Sequence, residues 1–233
     1  MNDELESMMF RANEDSDTLM VLFSGRQAGF IEPLHFNMSF VTRKVHANRM
    51  YLRDNFGMWY HDGLQGITKN IPETADFLRE HIAEEGYKRV VMVGVSSGGY
   101  AAILLGLMIG ADDIHAFGAP TEVRVGMREE VEFRIERSLK KIAKRTDIDP
   151  DLLDLRRTIE KYPLKENATL LLYFDPGFDV DAERAHRLRE FDGVKLMECP
   201  GTGHQVMKAY INNMEFYQAV ADGTTLPPPA PVS

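Results

Sequence analysis

At 233 residues with 44% apolar side chains, the chain is long enough for one large domain or two small ones and can fill one substantial core. Lys and Arg number 27 against 36 Asp and Glu, a formal net charge of −9, which argues against a nucleic-acid partner bound by phosphate neutralisation and against an anionic membrane. A lone cysteine, Cys199, excludes an internal disulfide and fits a reducing compartment, so a cytoplasmic location is expected.

The acidic start Met1-Asn2-Asp3-Glu4-Leu5-Glu6 lacks the basic-then-apolar pattern of an export signal. Tyr100 to Ile109, the longest apolar stretch, is about half of the roughly 20 residues a membrane helix needs, so no membrane association is expected. Thr18-Leu19-Met20-Val21-Leu22-Phe23 then reads as a strand buried on both faces of a parallel sheet, closed by Ser24-Gly25. Arg49 to Asp54 reads as a second strand. Pro72 opens a helix with Glu73 in its first turn, apolar residues at Ala75, Phe77, Leu78 and Ile82, and Gly86 at its end.

Lys88 to Val95 is the most strand-like segment, and Gly98-Gly99-Tyr100 leads at once into a helix to about Ile109, which places a sharp strand-to-helix turn at Ser96-Ser97. Ile114 to Phe117, Ala168 to Phe174 and Val194 to Met197 read as further strands. The stretch from Glu122 to about Tyr162 breaks the alternation, with helical periodicity at Val131, Ile135, Leu139 and Ile142 and again at Leu152, Leu153, Leu155 and Ile159. It reads as a helical insert or lid over the sheet's carboxyl edge, against an ordinary crossover pair. The expected architecture is a doubly wound α/β layer with a mostly parallel sheet, one domain over residues 1–222 and a Pro-rich tail over 223–233 ending Pro227-Pro228-Pro229-Ala230-Pro231.

Chemistry enters with Gly94-Val95-Ser96-Ser97-Gly98, a G-x-S-x-G pattern that chance would place in such a chain about 0.05 times, so its context decides its meaning. Between a buried strand and a helix, such a turn lifts a serine oxygen above the sheet, and small flanking residues avoid collision there. A serine hydroxyl attacks only when a base takes its proton and an acid orients that base. Of seven histidines, His204 follows the last predicted strand in the loop Pro200-Gly201-Thr202-Gly203 and precedes a helix expected from about Gln205. Asp175 ends the strand Leu170 to Phe174 and is the favoured acid, with Asp179 as the rival; Asp181, before Ala182-Glu183-Arg184, reads as a helix N-cap.

The elbow, the acid after a late strand and the histidine after the final one resemble the α/β-hydrolase superfamily, over Thr18 to Val220. That resemblance implies an oxyanion hole made by the backbone N–H of Ser97 and by a second N–H from Arg26 or Gln27. The sequence departs from the family pattern at Ser24-Gly25-Arg26, where His-Gly is usual, and lacks the strand-Gly-x-x-Asp spacing of the acid. Trp59 and Tyr60, in the aromatic loop after the second strand, are expected to line a substrate pocket, with plain packing as the alternative for Trp59. No HExxH, paired CxxC or GxxxxGK occurs, so no metal and no organic cofactor is expected.

The function expected from these residues is a serine esterase, or an acyltransferase using the same triad, acting on a small-molecule or glycan ester. A peptidase differs only in leaving group, and a non-catalytic binding protein of the same fold is the competing class.

Overall fold

The computed structural model describes residues 6–26, 36–125, 133–211 and 213–227, with only the backbone of 133–135. Gln27, Val131, the first five residues and the Pro228 to Pro231 tail lie outside the described residues.

Seven strands form one sheet: β1 (Met8–Arg11), β2 (Thr18–Phe23), β3 (Asn48–Leu52), β4 (Arg89–Val95), β5 (Asp113–Phe117), β6 (Thr169–Phe174) and β7 (Val194–Glu198), in the order β1-β3-β2-β4-β5-β6-β7. All neighbours are parallel except β1 on β3, so the expected mostly parallel α/β architecture is what the chain adopts. β1 pairs Met8 with Leu52 through Arg11 with Arg49 and was not foreseen, because four residues carry no readable alternation and their extended state comes from the β3 edge.

Alternation within the inner strands divides the core between two faces. Leu19, Val21, Phe23, Met92, Leu170, Leu172 and Phe174 point to one layer, whereas Met20, Leu22, Val91, Val93, Leu171 and Tyr173 point to the other. The first layer is covered by α1 (Ile71–Glu85), α2 (Ser97–Ile109) and the segment between β5 and β6; the second by the 3-10 turn Val206–Tyr210 and by α6 (Met214–Asp222). α2 is buried at every position from Ser97 to Leu107, which explains why its sequence is apolar all round.

α1 begins where the Asn70 side chain accepts the Glu73 N–H and ends at Gly86, whose φ of 71° permits the left-handed cap. Between β5 and β6 come α3 (Phe133–Ile142), a 3-10 turn at Pro150–Leu153 and α4 (Leu155–Lys161); Leu139, Ile142, Leu152, Leu155 and Ile159 are buried in the same cluster as α2. The helix expected from Gln205 is shorter than read: the chain makes the 3-10 turn first and begins α6 only at Met214, where Asn213 caps the Phe216 N–H. No helix of the described residues is long and apolar enough to cross a membrane.

Two of the described histidines, His61 and His115, are buried in the fold. Burial pushes His61 down to about 4, against the opposing pull of Asp62, and pushes His115 down to about 3, with Arg89 adding to the effect. Each bonds a tyrosine hydroxyl, His61 Nε2 to Tyr100 and His115 Nδ1 to Tyr173, both at 3.0 Å. Held neutral in the fold, they take up protons first in the unfolded chain, so stability falls as pH drops from 6.5 towards those depressed values. Between pH 8 and pH 5 the loss is about 2 kcal/mol for each histidine, which corresponds to a melting temperature lower by roughly 10 °C. Thermal melts check this, and His61→Gln should remove about half of the drop; a flat pH profile would contradict the account.

Candidate active site

β4 ends at Val95 and α2 begins at Ser97, so a single residue makes the turn. Ser96 does so with φ 51° and ψ −120°, a conformation that costs a non-glycine residue about 1–3 kcal/mol. Its N–H donates to the Phe117 carbonyl at 2.8 Å and its own carbonyl accepts from Tyr100 N–H at 3.1 Å, which ties the turn to β5 and to the first turn of α2. Gly98 is a steric requirement: a Cβ there would stand 2.3 Å from the Phe23 carbonyl oxygen at the end of β2. The elbow pattern is therefore the sequence trace of a helix pressed against two strand ends.

Ser96 Oγ lies 3.2 Å from His204 Nε2, and His204 Nδ1 lies 2.6 Å from Asp181 Oδ2. The hydroxyl, the ring and the carboxylate form a continuous relay, with the acid side chain 1% exposed and the imidazole 29%. Gly118, just past β5, leaves room for it: with φ 54°, it is a position where a Cβ would sit 3.3 Å from Asp181 Oδ2 and 3.4 Å from His204 Nδ1.

The acid in contact with His204 is thus neither Asp175 nor Asp179. Asp175 does leave β6 at the carboxyl edge, but its carboxylate accepts backbone amides, Gly177 N–H at 2.9 Å and Gly203 N–H at 2.6 Å. Burial alone would raise it; the amides of Gly203, Gly177, Gly201 and Thr202 outweigh that and hold it below the usual carboxylate range. Its place is to fix the loop that carries His204, which is also held by Cys199 N–H on the Phe174 carbonyl and by Thr202 Oγ1 on the Cys199 carbonyl. Asp179 is exposed at the first position of α5 (Asp179–His186). That helix starts before Asp181 rather than after it, so the expected N-cap is an interior residue with its side chain turned into the protein.

The loop after β2 is closely laced. Tyr60 hydroxyl donates to the Ser24 carbonyl at 2.8 Å, Asn37 N–H to Ser24 Oγ at 3.0 Å, and Gly25 N–H to Asn37 Oδ1 at 2.9 Å. Arg26 N–H, the expected second oxyanion donor, is instead directed at Ser97 Oγ at 2.8 Å, so it binds the elbow's own side chain. Its guanidinium reaches Ser138 Oγ of α3 at 3.2 Å. The Ser97 N–H opens α2, where the first-turn amides have no partner within the helix.

Trp59 and Tyr60 are packed inward. Asp54 Oδ2 accepts the Tyr60 N–H at 3.1 Å and Oδ1 the Phe56 N–H at 3.1 Å, and this turn folds both aromatics inward with φ of 58° and 64°. Trp59 is 5% exposed, edge-on to Tyr100, and Tyr60 is fully buried with its hydroxyl bound to the Ser24 and Leu52 carbonyls. Of the described residues, Phe178 borders the relay, half-buried with its ring centroid 6.1 Å from that of His204. Among the described residues no group of three or more His, Cys, Asp or Glu side chains could hold a metal ion.

No protein-family model and no curated sequence matches the chain. Solved structures do. The capsule O-acetyltransferase of Neisseria meningitidis serogroup A is similar over 94% of this chain and 92% of its own, with a TM-score of 0.66 at 16% identity. A lipase-esterase related protein from Clostridium acetobutylicum is similar over 95% and 100%, with 0.59 at 11%. FphF, a fluorophosphonate-binding serine hydrolase of Staphylococcus aureus, is similar over 86% and 83%, with 0.57 at 14%. With its sheet order, its single-residue elbow and these structural neighbours, the chain has the α/β-hydrolase fold.

Proposed function

We propose that the protein is a serine-dependent acyl-transfer enzyme, an esterase or an acyltransferase, in which Ser96, His204 and Asp181 act as nucleophile, base and acid. The observation that carries this is the relay itself: 3.2 Å from hydroxyl to ring and 2.6 Å from ring to a buried carboxylate, on a strained turn at a helix N-terminus. His204 Nε2 accepts the Ser96 proton as Oγ attacks an ester carbonyl. Asp181 stabilises the imidazolium so formed, and the Ser97 N–H faces the developing oxyanion. The imidazolium then protonates the leaving alkoxide, and the acyl group stays on Ser96. A second nucleophile, deprotonated by the same ring, releases it: water in hydrolysis, a hydroxyl acceptor in transfer.

The likeness to an O-acetyltransferase over nearly the whole of both chains supports transfer to an oxygen acceptor; under hydrolysis the substrate class we propose is a small-molecule or glycan ester. The esterase and serine-hydrolase neighbours support hydrolysis equally well, since both outcomes share the first half-reaction. No cofactor enters this scheme. A cytoplasmic location remains part of the proposal, on the lone cysteine.

A fluorophosphonate probe should label the folded protein at Ser96, and Ser96→Ala should abolish labelling while leaving the circular dichroism spectrum unchanged. Absence of labelling in folded protein would favour a non-catalytic binding module. Short-chain p-nitrophenyl esters should turn over much faster than aminoacyl anilides, and adding a methyl glycoside should divert acetyl to its hydroxyls if transfer is the reaction.

The acid is tested separately. Asp181→Asn should lower kcat by roughly 10³ to 10⁴ at constant stability, because an amide holds the ring in the wrong tautomer. Asp175→Asn should cost about tenfold or less in kcat but lower stability by about 1–3 kcal/mol, because it replaces one oxygen of a buried carboxylate that accepts the amides of Gly177 and Gly203. The reverse ranking in kcat would return the role to Asp175.

A further inference from the structure

Asp181 has two carboxylate oxygens and His204 takes one. The other, Oδ1, lies 3.4 Å from Nη1 of Arg184, three residues further along α5. This is no surface pair: the Arg184 side chain is 6% exposed and that of Asp181 1%. A guanidinium is costly to withdraw from water, and a contact made there is screened less by solvent than a surface pair. Arg184 is also fixed by its backbone, whose carbonyl accepts the Thr121 hydroxyl at 3.2 Å. One turn on, Arg187 clamps the Asp154 carboxylate at 2.9 and 3.0 Å and lies 3.4 Å from Glu122, so α5 is bolted to the segment between β5 and β6.

We propose that Arg184 is a positioning residue for the acid of the relay: it holds Asp181 turned so that Oδ2 faces His204, and its charge sets the pH at which the His204–Asp181 pair takes up a proton. The proposal rests on the triad reading above.

Among the described residues, the charged groups nearby on other elements have partners of their own. Asp175, behind the His204 loop, is bound by backbone amides. Glu122 and Asp154 face Arg187, and Arg124 pairs with Glu122 at 2.9 Å. On α5 itself Asp179, Glu183 and His186 are exposed, His186 lying edge-on to Phe174. Arg184 is in direct contact with Asp181. A positive charge there opposes protonation of the ring, so removing it favours the protonated pair and moves the acidic limb of activity upward. A merely structural ion pair would lower stability and leave that limb where it was.

The experiment is an NMR titration of the His204 imidazole in full-length protein, run beside the pH profile of kcat/KM for p-nitrophenyl acetate. Arg184→Met, which keeps the length and removes the charge, should move both the His204 titration and the acidic limb to higher pH by about one unit. Arg184→Lys should keep both near wild type. Arg184→Gln, which retains polar hydrogens without the charge, carries the same expectation should the methionine variant fail to fold. A folded Arg184→Met or Arg184→Gln protein whose His204 titrates as in wild type overturns the proposal. The NMR arm is readable without turnover, so a wild-type protein inert to esters and to fluorophosphonate would sink the triad reading separately.

Discussion

The site depends on how little chain separates β4 from α2. Only Ser96 lies between them, and the turn closes because Gly98 lets the helix come against the end of β2. That close approach forces the positive φ at Ser96, lifts its oxygen clear of the sheet, and puts the first amides of α2 beneath the same space. The strain is about 1–3 kcal/mol, and it is sustained by a helix buried at every position from Ser97 to Leu107. The raised hydroxyl, the free first-turn amides and the core packing are one arrangement here.

The other half of the relay comes from farther along the chain and is held by different means. The loop bearing His204 has few side chains to pack, and is fixed by backbone amides on the Asp175 carboxylate. Asp181 is fixed by the helix it belongs to, and that helix is tied through Thr121, Glu122 and Asp154 to the segment between β5 and β6. The segment read in sequence as a lid thus has a mechanical role at its base. The two carboxylates divide the labour: Asp175 organises backbone, Asp181 meets the ring.

The inner strands, α1, α2 and the elbow were legible because each rests on a local pattern: continuous apolar runs, a Pro-to-Gly helix, a rare glycine-serine spacing. The contact of Asp181 with His204 is illegible to a local rule, which reads Asp before Ala-Glu-Arg as an N-cap where a periodic one holds. Asp181, Arg184, Ala185 and Leu188 recur at i, i+3, i+4 and i+7, and all four are buried. Two charges on the inward stripe of a helix are themselves a signal, since burial of an acid is tolerated only with partners. The inward packing of Trp59 and Tyr60 is illegible for another reason: their left-handed backbone follows from amides gathered on Asp54, which no propensity reveals. Arg26 was expected to offer its amide to a ligand, and the competing acceptor was a side chain 71 residues away.

The backbone at Ser96 carries a further consequence. Of all residues, glycine would sit there most comfortably, so the position is one at which thermal robustness and chemical competence pull in opposite directions. A laboratory search rewarding heat resistance alone would tend to erase the hydroxyl, and under the proposed function only selection on turnover would keep it.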